Sequence, residues 1–155
     1  MPAGLTQKEK KLADHAKKAI VKYNKMRHRK GGIDTLYAFV MTDSGEIHDG
    51  ACLESGIGSA RVCGERHAIA NMVMGESYAA KIKSIIVVDP VPEEQPHSTT
   101  PCGTCRHIIW ELGTPDTSVL CLQYIHEKDK YTFPKIEKHT IKKLYPSAFV
   151  PVEWD

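Results

Sequence analysis

Long apolar runs are missing from this 155-residue chain. No stretch approaches the roughly 20 apolar residues of a membrane-spanning helix. The polar, lysine-rich start from Met1 to Lys11 lacks the apolar centre of a secretory signal. Both absences point to a cytoplasmic protein with no membrane partner. An excess of one charge is missing too: 21 Lys and Arg face 19 Asp and Glu, for a net charge of +2. So balanced a chain has no general attraction for polyanions. Aromatic residues are sparse at 7%, which leaves little to stack against nucleic-acid bases. Internal repeats and low-complexity segments are absent, which excludes solenoids and tails.

What is present suits one ordinary globular domain over residues 1–155: 41% hydrophobic and 26% charged residues, with enough length for a single core. Leu12, Ala16, Ala19, Ile20 and Tyr23 recur at helical spacing and predict an amphipathic helix over about 6–27, closed by Gly31-Gly32. Residues 36–41 read as a buried strand, and the turn Asp43-Ser44-Gly45 returns it as a hairpin over 46–51. A loop at 56–60 precedes a helix at about 63–74. The β-branched run 82–88 reads as a strand covered on both faces. A Pro/Ser/Thr-rich loop at 89–101 leads to a helix over 102–112. A fourth strand follows at 119–124, then a weaker fifth near 131–133 and a short helix over 135–144. The predicted architecture is a three-layer α/β/α sandwich on a mixed five-stranded sheet.

Five cysteines in a reducing compartment are better read as metal ligands or buried thiols than as disulfides, and their odd number leaves one unpaired. Cys102 and Cys105, in Pro101-Cys-Gly-Thr-Cys105, have the spacing by which two thiolates at a helix start reach one ion. Cys63, in Cys63-Gly-Glu65, would be the third ligand. Zn²⁺ prefers such a donor set, and a catalytic site keeps one tetrahedral position for water. Helix starts favour thiolate over thiol. Three thiolates carry surplus negative charge, and Arg66 is the candidate to offset it. Glu65 falls on the first turn of the same helix, placed to move a proton to and from that water without ligating the ion. Cys or His, then Glu two residues on, then Pro-Cys-x-x-Cys is the arrangement of zinc deaminases. The alternative is a closed structural zinc site with His67 or His107 as fourth ligand.

These motifs resemble the cytidine deaminase family, in its small homotetrameric all-cysteine branch. Cys63-Gly-Glu-Arg-His-Ala-Ile69 is similar to the family's Cys-Ala-Glu-Arg-Thr-Ala-Ile, and Pro101–Arg106 matches its second metal motif. The ending Leu144-Tyr-Pro-Ser-Ala-Phe-Val-Pro151 resembles the family's Leu-Leu-Pro-x-x-Phe-x-Pro. The resemblance implies hydrolytic deamination of a cytidine-like nucleoside or related aminated heterocycle. It also implies a homotetramer in which Phe149 approaches a neighbour's site.

The substrate side departs from that pattern. The family's Gly-x-Asn-x-Glu-Asn falls on Gly50-Ala-Cys52-Leu-Glu54-Ser55, so Glu54 survives while Cys52 and Ser55 replace asparagines. The family's pocket phenylalanine falls on Asp34. Cys52 is a poor acceptor beside Asn. Asp34 and Glu54 together would suit a cationic or amine-bearing substrate, such as a blasticidin-S-like antibiotic; aminopurines and pterins remain alternatives.

Two rival classes stand beside the enzyme. Lys22, Lys25, Arg27, His28, Arg29 and Lys30 form a basic cluster of the kind that follows a phosphate backbone, yet the near-neutral balance argues against a nucleic-acid partner. A zinc-stabilised binding protein without catalysis would have no use for Glu65.

Overall fold

A computed structural model describes residues 4–150; the first three residues of the polar start and Pro151 of the tail motif lie outside them. The opening helix, α1 (Gln7–Arg29), starts from a reciprocal cap: the Thr6 hydroxyl accepts from the Glu9 N–H, and the Glu9 carboxylate accepts from the Thr6 N–H. It stops at Lys30 before Gly31, whose φ of +78° lies in the left-handed region. One hairpin follows, β1 (Tyr37–Thr42) and β2 (Ile47–Ala51). The remaining elements are α2 (Gly64–Glu76), β3 (Ile82–Pro90), α3 (Gly103–Leu112), β4 (Ser118–Glu127), β5 (Lys130–Thr132), β6 (Ile136–Thr140) and the single turn α4 (Ile141–Leu144).

The sheet runs β2-β1-β3-β4, with β5 and β6 sharing the outer edge of β4. Only β3 and β4 are parallel, so the sheet is mixed. Side chains alternate between its faces as the pleat requires. Tyr37, Phe39, Met41, Ile86, Val88, Leu120 and Leu122 meet Leu12, Ala16 and Ile20 of α1. Ala38, Val40, Ile85, Val119 and Cys121 meet Ile69 and Met72 of α2, Ile109 of α3 and Ile141 of α4. The expected α/β/α sandwich is borne out.

The expected helix over 135–144 is only its last turn; Ile136–Thr140 is strand. β5 and β6 are two parts of one bent strand. Ile125 pairs with Thr132 and Leu122 with Ile136, so between these pairs two residues of β4 face three of the edge strand. Such an extra residue marks a bulge, and Pro134, with no N–H to give the ladder, lies within it. The fifth strand of the sequence reading therefore continues through the segment expected to be helix.

The loop after β3 is held in place. Gln123, fully buried, donates to the Gln95 carbonyl and accepts from the Gln95 N–H, and its amide reaches the Ser98 hydroxyl. It thereby fixes the approach to Pro101 and the start of α3.

Candidate metal centre

Two features bring α2 close enough to the sheet to present its first turn. A Cβ on Gly50 would stand 2.3 Å from the Ala68 nitrogen and 2.4 Å from the Gly64 oxygen. Real Cβ atoms are never so close, so β2 and α2 touch backbone to backbone. Gly64 is similarly placed, 3.2 Å from the Ala38 nitrogen by the same measure. The contact seats Cys63, the N-cap of α2, beside Cys102, the N-cap of α3.

The sulfurs of Cys63, Cys102 and Cys105 all lie within 4.8 Å of one another, and Cys63 Sγ is 3.8 Å from Cys102 Sγ. Both N-cap sulfurs face one another across the two helix starts. All five cysteines are free thiols. Burial pushes the Cys102 thiol up, but the Cys105 N–H and the two neighbouring sulfurs outweigh it and leave this thiol below its ordinary value. Cys105 goes the other way, raised by burial and then by the negative charge of Glu65. Crowded sulfur and carboxylate thus resist holding three thiolates together unless a cation joins them, and a coordinated thiol gives up its proton outright.

The surroundings fit that cation. Glu65 is 7% exposed, so its carboxylate is buried beside the sulfurs. Its oxygens are not among the ligand atoms that converge there. The Arg66 guanidinium lies against Cys63 and Cys105; burial lowers its proton affinity, but the two sulfurs outweigh burial and raise it. One Arg66 nitrogen donates to the Arg61 carbonyl at 3.2 Å, and Nε is buried with no hydrogen-bond partner of its own. An unpartnered buried donor beside a sulfur cluster suits a site of surplus negative charge.

The two histidines considered as a closing fourth ligand turn elsewhere. His67 Nδ1 sits 3.1 Å from the Ala51 nitrogen. His107 lies between the Tyr145 hydroxyl and Glu111, at 3.0 and 2.9 Å. Among the described residues, three sulfurs form this group alone.

The other residues singled out in the sequence are placed as follows. Cys52, half-buried after β2, lies within electrostatic reach of Glu54, Cys63 and Glu65; burial, then those charges, pushes its thiol up. The exposed Glu54 accepts a hydrogen bond from Thr35 at 3.4 Å. Ser55 turns its hydroxyl to the Ile57 N–H. Phe149 is 62% exposed, its ring 6.2 Å from that of His107. The Asp34 carboxylate is engaged by His28 and His126, at 2.6 and 2.7 Å. Cys121 is fully buried in the core.

Sequence reasoning missed a second hollow of about 620 Å³ between α1 and β2, where Asp49 joins His15 at 2.8 Å and the Tyr23 hydroxyl. Its residues come from four separate elements, α1, β1, β2 and α2, and no local pattern links them. No helix among the described residues is long and apolar enough to cross a membrane.

No family model matches the chain. It is similar to the cytidine deaminase of Mycoplasma pneumoniae, 28% identical over 101 residues that cover 65% of this chain and 73% of that protein. Among solved structures it is similar to the cytidine deaminase of Burkholderia pseudomallei, with a TM-score of 0.61 at 21% identity over 85% of this chain and 98% of the other. The cytidine deaminase of Bacillus anthracis superposes with a TM-score of 0.57 at 17% identity, covering 90% and 88%. The fold is the one these deaminases share, and the likeness carried by the two cysteine motifs is borne out.

Proposed function

We propose that this chain is a zinc-dependent hydrolytic deaminase that replaces an exocyclic amine of a cytidine-like heterocycle with oxygen and releases ammonia. The observation that carries the reading is a buried carboxylate, Glu65, beside three converging sulfurs at two helix starts. Cys63, Cys102 and Cys105 would hold Zn²⁺, which when bound supplies a Lewis acid that makes water a competent nucleophile at neutral pH.

The chain's own residues do the rest. Glu65 takes a proton from the attacking water and passes it to the ring nitrogen, then takes the second from the new hydroxyl and gives it to the amine as the carbon–amine bond breaks, leaving a carbonyl and ammonia. Burial keeps its carboxylate from being screened by solvent. Arg66 offsets the negative charge of the sulfurs. Cys52 lies within electrostatic reach of Cys63 and Glu54, and with Glu54 and Ser55 it would meet the substrate's far end. The exposed side chains of Leu53, Ile57, Phe149 and Val150 support assembly into a tetramer in which Phe149 reaches a neighbouring site.

Cys52 favours a second reading of the substrate within the same chemistry. A site built to hold a sugar hydroxyl loses discrimination when its partner changes, and a thiol pushed up by burial is a weak substitute for an amide. A blasticidin-S-like nucleoside, an aminopurine or a pterin would then replace cytidine.

The test is Glu65→Gln, scored by ammonia release from cytidine, deoxycytidine, guanine, aminopterins and blasticidin S. The substitution should leave fold and zinc content unchanged and cut turnover about 10²- to 10⁴-fold on the accepted substrate. Unchanged turnover rejects the role of Glu65. A chain that keeps zinc but turns over none of the panel is a binding protein.

A further inference from the structure

A second set of ligand-type side chains lies apart from the cysteines. His28 in the last turn of α1, Asp34 in the connector to β1, and His126 near the end of β4 bring Nε2, a carboxylate and Nδ1 within 4.8 Å of one another. We propose that these three residues form a second metal site, for a divalent transition cation such as Zn²⁺.

Two histidines and one carboxylate are a recurrent N/O donor set for such ions, with positions left for water. An ordinary ion pair explains the geometry less well. His28 Nε2 is 2.6 Å from Asp34 Oδ1, yet that oxygen is buried with no hydrogen bond to it. The in-plane direction of the imidazole nitrogen therefore misses the oxygen. Neighbouring ligands of one ion behave in this way, whereas His126 Nδ1 makes an ordinary hydrogen bond to Asp34 Oδ2 at 2.7 Å, which an ion would replace. Bonds of about 2.0–2.1 Å place adjacent ligands roughly 2.9–3.4 Å apart, so binding needs His28 to withdraw by several tenths of an ångström. Its side chain is 41% exposed at a helix end and free to do so.

Several features support the site. His126 is fixed, stacked on Tyr131 at 4.1 Å between ring centroids, and the His28 ring lies nearly parallel to it, 5.7 Å away. The carbonyl end of α1 favours a cation. The connector is anchored by Arg27, which donates to the Ile33 carbonyl at 2.8 Å. An ion here ties the end of α1, the connector and the β4 end together. Through Thr35, next in sequence to Asp34, it also steadies Glu54. Metal binding here does not depend on the cysteine cluster, since none of its atoms takes part.

Cobalt titration of the purified, metal-free full chain distinguishes the two sites, because sulfur-ligated Co²⁺ shows an intense near-ultraviolet charge-transfer band and an N/O site does not. Wild type should bind two equivalents, one with that band and one without. Cys102→Ser should abolish the first and keep the second. His126→Gln and the more exposed His28→Gln should abolish the second and keep the first. A wild-type chain that saturates at one sulfur-ligated equivalent overturns the proposal. So does an unchanged second equivalent in His28→Gln, a variant whose exposed position leaves folding intact.

Discussion

Replacing Gly50 with alanine tests the seating of the metal centre at the point where it is least forgiving. The added Cβ would stand 2.3 Å from the Ala68 nitrogen, 2.4 Å from the Gly64 oxygen and 2.8 Å from the Ala68 Cα. All three obstacles are backbone, so no side chain can swing aside. Recovering ordinary contact requires α2 to retreat by roughly 1 Å from β2. Overpacking a tight contact costs about 1–3 kcal/mol, and a clash against helix backbone belongs at the upper end of that range. At about 2–4 °C per kcal/mol for a chain of this size, the melting temperature should fall by roughly 6–12 °C. The retreat also carries Cys63 and Glu65 with it, because both belong to the start of α2. Zinc retention and turnover at a temperature where the variant is still folded should therefore drop as well. Scanning calorimetry with metal analysis on the same sample reads both effects. A variant that melts within 1 °C of wild type and keeps its metal would refute the backbone contact as the element that positions the site.

Other perturbations follow from the same structure. Arg66→Gln removes the cation beside Cys63 and Cys105; competition with a chelator should show weaker zinc retention, and unchanged retention would count against charge compensation. Asn24, fully buried, donates to the Tyr124 hydroxyl and accepts from that of Tyr37, so Asn24→Ala should cost about 1–3 kcal/mol in urea unfolding. Burial raises the Glu9 pKa, but bonds from Ser118, the Thr6 N–H and Lys138 outweigh it and hold the folded-state value below 4.5. Its contribution is thus present above the unfolded pKa and lost as pH falls through the lower folded one. Melting curves of wild type and Glu9→Gln should differ at pH 7 and converge towards pH 3; a gap that widens in acid would reverse the sign of the argument.

The cysteine cluster was legible because its information is local. Cys63-x-Glu65 and Cys102-x-x-Cys105 each fit within one helix start, and the ladder of β1, β3 and β4 needed only to bring the two starts together. The β-branched run 82–88 likewise announced its strand, which is buried on both faces over most of its length. What failed to show was set by distant partners. Ile136–Thr140 was read as helix because nothing within it announces that it lies along the free edge of β4. The pairing of Asp34 with His126 spans 92 residues, and that of Asp49 with His15 spans 34. Neither spacing has a period to read. The two imidazoles that meet the Asp34 carboxylate were therefore not visible in the sequence.

The central claim is tested most directly by the zinc absorption fine structure of the full chain carrying one equivalent of metal. Three sulfurs at about 2.3 Å and one oxygen at about 2.0 Å are predicted, with the oxygen distance responding to an added substrate analogue. Four protein ligands around the ion, by a fourth sulfur or by the outer-shell signature of an imidazole, would contradict the account and leave Glu65 without a water to act on.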